Sequence, residues 1–253
     1  ASPLAHPLWP ARMRSPPPAQ AMKELVEAGF VNEEDAARRQ LQDNDNCQPG
    51  RKAPAGRFKP TTKQELQTAV DEWCGMTDAF EPNQPMTPAG YLVLNNVLKK
   101  YGDIEEWDVS RITNMEFLFF SKATCDPAIG GWDVSSVTVM TGMFRSAFAF
   151  NQDLSKWDVS SVVNMGNMFD NARAFNQDLG TWDVSSVTIM AAMFSNAFAF
   201  YQNLHGWPTA SLTGMTSMFA GATRMLTKPE YWPCENGPCP PDTCQDTIAD
   251  CET

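Results

Sequence analysis

The sequence predicts an α/β repeat fold, a solenoid of 25-residue coils, on three observations. Trp107, Trp132, Trp157, Trp182, Trp207 and Trp232 recur every 25 residues with no insertion between them. Other columns keep that phase: Asp108, Asp133, Asp158 and Asp183, then Met115 to Met215, then Phe119 to Phe219. Within one copy, a period of two at Trp157-Asp158-Val159 gives way to steps of three or four at Met165, Met168, Phe169, Ala172 and Phe175. One such coil cannot bury its apolar residues alone, so neighbours must stack into a continuous core.

Each element has its own signal. Residues 1–60 form a Pro-rich extended arm, marked by Pro7, Pro10 and Pro16-Pro17-Pro18, with short helices expected from Met22 and after Asn32. Residues 61–103 read as a helical N-terminal cap: Thr61-Thr62 precede Glu65, and Leu66, Val70 and Trp73 share a helical face. A second apolar run, Tyr91 to Leu98, leads into the first coil. Residues 104–232 hold five to six coils. In each, Leu154-Ser-Lys-Trp157-Asp-Val159-Ser-Ser-Val162 has leucine-rich-repeat-like spacing, so Trp-Asp-Val is expected to contribute to one short parallel β-sheet. The segment after Val162 is expected to be a helical or 3₁₀ turn. Asn-Gln-Asp at 151–153 and 176–178 is then expected to turn the chain by bonding its own backbone. Pro208 breaks the Asp column, as a terminal coil would, and residues 233–253 form a Cys-rich C-terminal cap or arm.

The string Leu-x-x-Trp-Asp-Val-Ser-x-Val-Thr-x-Met-x-x-Met-Phe-x-x-Ala-x-x-Phe-Asn-Gln over residues 101–225 resembles the BspA-like leucine-rich repeat surface protein family. That repeat is shared by mycoplasma and Listeria-type surface proteins and occurs in algae. The resemblance implies a solenoid used for adhesion or protein contact, with no catalytic residues to carry over.

Composition excludes several classes. Nineteen basic residues against 30 acidic ones, a formal charge of −11, argue against nucleic acid and against docking on anionic lipid. No apolar stretch approaches the ~20 residues of a membrane span, although peripheral association with a membrane complex fits. Only His6 and His205 are available for acid–base work, and no Gly-rich phosphate loop or nucleophile motif occurs. No enzyme and no cofactor are expected. The expected role is a structural, linker or scaffold subunit that binds other proteins through the arm and the solenoid face, with a peripheral lumen-side subunit of an algal membrane complex as one setting. The alternative is a free adhesin or glycan-binding module.

The cysteines point to an oxidising compartment, either a thylakoid-type organelle lumen or the cell exterior. Ala1 as the first residue fits a cleaved targeting peptide. Cys47, Cys74, Cys234, Cys239, Cys244 and Cys251 are the disulfide candidates, with Cys47–Cys74 as one pairing. The last four are read first as disulfides and second as a zinc site, whose usual Cys-x-x-Cys spacing they lack. Cys125 occupies the column of Phe150, Phe175 and Phe200 and is expected to be a buried free thiol.

Candidate binding residues follow from the inward columns. If Trp and Val point inward, Asp108, Asp133, Asp158 and Asp183 point outward. Their first reading is a hydrogen-bond ladder with the following Ser and Thr, and their second a calcium or cationic-partner site. Identical environments do not separate two pKa values, so paired-carboxylate catalysis is disfavoured. Phe148, Phe198 and Tyr201 lie off the core columns, and Arg173 takes the place of Phe in one copy. These four are the expected contact surface.

Overall fold

The structure, a computed structural model, describes residues 57–78, 88–228 and 231–233. The chain divides into two compact units: Arg57–Asp78 belongs with the chain from Tyr101 onward, and the segment Ala79–Lys100 belongs to the other. Among the described residues there are two α-helices, α1 (Lys63–Asp78) and α2 (Pro88–Tyr101). They fall largely in different units, whereas the sequence reading joined them in one cap. α2 ends at Tyr101, and the φ of +71° at Gly102 suits the left-handed position that follows a helix.

α1 begins where its cap residues predict. Glu65 N–H donates to Thr62 Oγ1 at 3.2 Å, and Thr61 N–H donates to the Glu65 carboxylate at 2.7 Å. Those two satisfy orphan donors of the first turn. Leu66, Ala69, Val70, Trp73 and Cys74, spaced three and four apart, form its buried face. α1 then closes the first coil. Gln67 Nε2 donates to the Leu118 carbonyl at 3.0 Å, Lys122 pairs with Asp71 at 2.8 Å and Lys63 lies 3.8 Å from Glu116. In later coils the carbonyl of the Leu118 column, at Met143, Met168, Met193 and Met218, accepts a backbone N–H from the preceding coil. Gln67 supplies by side chain what no preceding coil supplies by backbone.

Successive coils pair in parallel at single residues, Asn114 with Val139, Val139 with Asn164, Asn164 with Ile189 and Ile189 with Gly214. The pairing lies just beyond Val162, not at Trp157-Asp158-Val159, which forms no strand. From there the backbone alternates its hydrogen bonds. Met115, Phe117, Phe119 and Ser121 donate across to Val139, Thr141, Met143 and Arg145, while Leu118, Phe120 and Lys122 donate back three residues within their own coil. The expected helical or 3₁₀ turn is therefore absent. Positive φ recurs at Phe117 and Ser121, Gly142 and Ser146, Asn167 and Asn171, Ala192 and Asn196, and Ser217 and Gly221. A helix requires negative φ throughout, whereas a turn with a positive third residue is type II. Gly142 is needed here for a second reason: a Cβ would overlap the Phe117 ring that lies across it.

The core is built of columns. Phe119, Phe144, Phe169, Phe194 and Phe219 stack with ring centres 5.4–5.7 Å apart. Phe150, Phe175 and Phe200 stack beside them at 6.0 Å. Each buried indole must find an acceptor, and the coil below supplies it. Trp132, Trp157, Trp182 and Trp207 donate to the carbonyls of Ile104, Ile129, Leu154 and Leu179 at 2.8–3.1 Å. Trp107 opens the column, and its buried Nε1 has no partner among the described residues. Trp232 keeps the 25-residue period but not its geometry, since it donates to the Met225 carbonyl seven residues back.

Cys125 corrects the sequence reading. It is buried in the Phe column as expected, but it is bonded to Cys74 of α1 rather than free. The pairing Cys47–Cys74 is thereby excluded. A column cysteine of the first coil meets α1 because α1 lies where a preceding coil would stack. Cys47, Cys234, Cys239, Cys244, Cys251, the arm 1–56 and nearly all of 233–253 lie outside the described residues.

Candidate functional site

The Asp column faces outward, each carboxylate one residue beyond a buried tryptophan. Asp108, Asp133 and Asp158 each accept both the N–H and the hydroxyl of the serine two residues on, the hydroxyl at 2.6 Å. Asp183 accepts the Ser185 N–H at 3.0 Å. These are turns, each fixed by an aspartate that accepts from the serine two residues on, as the first reading expected of the serines. Hydrogen bonds from Ser160 and Ser185 hold the carboxyls of Asp158 and Asp183 below the usual carboxylate range. Asp108 goes further, to a pKa of about 2, chiefly because Lys59 Nζ donates to it at 2.6 Å and secondly because Ser110 does. Carboxylates so occupied are weak bases. Among the described residues no group of three His, Cys, Asp or Glu side chains is arranged to hold a metal ion.

The coil-to-coil polar ladder is elsewhere, in Asn-Gln. The Asn176 N–H donates to Asn151 Oδ1 at 2.9 Å, and Gln177 Nε2 reaches the Asn151 carbonyl at 2.9 Å. Tyr201 and Gln202 repeat the pattern on Asn176. The first rung is Asp126, whose carboxylate accepts the Asn151 N–H at 2.8 Å and Gln152 Nε2 at 2.7 Å. Burial raises its pKa against the opposing effect of those two bonds. Of the sequence triplet Asn-Gln-Asp, only the Asp bonds its own turn: Asp153 accepts the Ser155 N–H at 2.9 Å and Asp178 the Gly180 N–H at 2.8 Å.

The aromatic candidates converge. Phe148, Arg173 and Phe198 occupy one column of three successive coils, with Ala123 and Thr223 at the same position in the flanking coils. Both phenylalanines are exposed, at 36% and 42%. The Arg173 guanidinium lies between them, 4.5 Å from the centre of the Phe148 ring and 5.9 Å from Phe198. Arg173 Nε donates to Asn171 Oδ1 at 3.0 Å, which fixes the plane of the group. Tyr201 lies close by in sequence and continues the theme, with Arg224 5.2 Å from its ring centre and Tyr231 at 5.6 Å. Lys228 lies 5.9 Å from the Tyr231 ring.

Sequence reasoning placed Phe148, Arg173, Phe198 and Tyr201 at the surface but missed Arg224, Lys228 and Tyr231. A signal was available: no Asp or Glu occurs between Asp183 and Glu230. The arrangement can hold a ligand by ring contact and by a fixed guanidinium. The Asp column and this column are separate features, and nothing brings their side chains together.

A family model described as "Mycoplasma protein of unknown function, DUF285" matches residues 92–187 and 120–232, together more than half of the chain. No curated protein and no solved structure matches. No helix among the described residues is long and apolar enough to cross a membrane.

Proposed function

Because the chain belongs to this mycoplasma-type family of unknown function, we propose that it is a non-enzymatic interaction module, secreted or held at the cell surface, whose contact surface is the Phe148–Arg173–Phe198 column. One observation carries the reading: two exposed phenylalanines hold an arginine between them on a rigid, repeated backbone. Aromatic and arginine side chains dominate binding energy where they are pre-organised. The finer identity as a BspA-like leucine-rich-repeat solenoid belongs to the same proposal. It rests on the 25-residue period and on the parallel pairing of one residue per coil.

The family and the Cys74–Cys125 disulfide are compatible with an oxidising exterior. Neither favours an organelle lumen, so the lumen-side subunit is not carried forward. Of the scaffold role expected through the arm and the solenoid face, the arm's share rests almost wholly on residues outside those described. A calcium role for the Asp column has against it that each of its carboxylates already accepts hydrogen bonds from its own turn.

The test is competition for attachment. Soluble wild-type protein in excess should block attachment of the producing cells to their substratum, and the double variant Phe148→Ala/Phe198→Ala should not. Equal blocking by both proteins sinks the proposal. Removing residues 1–56 from the soluble protein should leave blocking intact, and its loss would return the role to the arm.

A further inference from the structure

The chain carries 30 acidic residues, yet none lies between Asp183 and Glu230. Arg173 lies against Phe198 of that carboxylate-free stretch and, unlike four cations nearer the N-terminus, forms no ion pair among the described residues. Lys59, Lys63, Lys122 and Arg145 each have a carboxylate within 4 Å, Arg145 at 3.0 Å from Asp170. Neither Arg173 nor Arg224 has one among the described residues. Arg173 is also held still, its Nε on Asn171 and its guanidinium between two rings. Its two terminal amino groups have no protein partner among the described residues, so the paired N–H fork that grips a carboxylate or sulfate remains available.

The backbone here is spent. Ala174 N–H donates to the Phe148 carbonyl at 3.1 Å, and Ala199 N–H donates to the Arg173 carbonyl at 3.2 Å. A peptide seeking to add a strand would find these two carbonyls already paired. What remains are side chains: rings, the guanidinium, and neighbouring amides. Gln152, Gln177 and Gln202 commit Nε2 to the preceding coil, leaving Oε1 to accept from hydroxyls. The Tyr201–Arg224 pair adds a second cation on a ring.

We infer that the Phe148–Arg173–Phe198 column is a binding site for an acidic polysaccharide. Arg173 takes a carboxylate or sulfate of the sugar bidentately, and the apolar C–H faces of the sugar rings pack on the two phenylalanines. A polymer suits a surface whose ring–cation pairs recur along the stack, because each further contact is made at high effective concentration. The inference rests on the interaction-module reading and supplies its ligand.

The full chain is titrated calorimetrically with dextran sulfate, polygalacturonate, unsubstituted dextran and poly-glutamate. Binding of either acidic polysaccharide, weakening as salt rises, is expected, and which of the two binds identifies sulfate or carboxylate as the source. Arg173→Gln should lower that affinity roughly tenfold or more. Lys122→Gln, whose cation is tied to Asp71, should leave it unchanged, and unchanged thermal unfolding of Arg173→Gln shows that the variant is folded. Equal binding of dextran or poly-glutamate overturns the acidic polysaccharide, as does an Arg173→Gln protein that binds like wild type. Failure of both acidic polysaccharides, with attachment still blocked only by a protein that has Phe148 and Phe198, overturns the ligand and leaves the interaction module standing. If neither observation is made, both fall.

Discussion

The first coil and the coils beyond it treat their cations differently. At the first coil Lys59, Lys63 and Lys122 sit on carboxylates, α1 covers the open backbone, and a disulfide ties α1 to the coil. In the second coil Arg145 has both Asp170 and the Phe120 ring, and further along Arg173 lies over Phe148 and Phe198 and Arg224 over Tyr201. The same repeat thus supports a fastened end and, along its middle coils, a recognition face. An ion pair hides charge from any visitor, whereas Arg173, on its rings, keeps its terminal N–H groups to offer. What distinguishes the two is the few positions where the repeat leaves the residue free.

The strongest way to break that comparison is to cut between the ends. Phe169 stacks on both Phe144 and Phe194. Phe169→Ala should cost about 3–5 kcal/mol, read from the urea midpoint. Because each coil leans only on its neighbours, amide exchange should quicken in residues 140–219 more than in α1. Uniform quickening would mean that the ends share one cooperative unit.

The disulfide tests the fastened end alone. Cys74→Ser/Cys125→Ser removes a link between residues 51 apart and should cost about 2–4 kcal/mol. Wild type in reducing agent should match it, and acidic-polysaccharide binding at the recognition face should survive. Loss of binding would show that the fastened end and that face are coupled.

A smaller effect, of opposite sign, is expected at Asp126. It is a carboxylate where the next coils carry Asn151 and Asn176, and its pKa is raised by burial. Asp126→Asn should stabilise by up to about 1 kcal/mol at pH 7. A raised folded pKa favours folding at low pH and opposes it once the pH passes above that pKa. The gain from the substitution should therefore vanish in acid, and a gain constant with pH would assign it to packing.

The smallest effect belongs to Asp108. Its folded pKa of about 2 lies below the ordinary value of about 3.9. The stability it adds is present above the ordinary value and is lost as pH falls toward 2. Asp108→Asn should differ from wild type at pH 6 and converge with it near pH 2. Lys59→Gln should move the Asp108 titration, followed by carboxyl NMR, back upward, and an unmoved titration would leave Ser110 as the main cause.

Much of this is legible in the amino-acid sequence. The Trp, Met and Phe columns announce inward positions, and all but the terminal Met215 are buried. An aspartate between two inward residues had to face out, and Phe148, Phe198 and Arg173 were marked by falling outside the inward columns. The pairing site was not legible. Trp157-x-Val159 alternates as a strand does, yet the backbone pairs beyond Val162. Alternation records which side is buried, not which N–H groups find a partner. The turns escaped for a related reason, since steps of three and four suit a helix and also a run of i-to-i+3 turns.

The amino-acid sequence by itself determined the 25-residue period, the inward columns, the outward aspartates and the carboxylate-free stretch after Asp183. All are properties of order along the chain. Tertiary structure alone decided that Cys125 meets Cys74, that Gln67 stands in for a missing coil, and that Arg173 lies between two rings. Each joins residues 25 or more positions apart, or different elements, and such contacts depend on how far one coil is offset on the next. Periodicity says that coils stack. The offset comes from the backbone hydrogen bonds and packed rings between them.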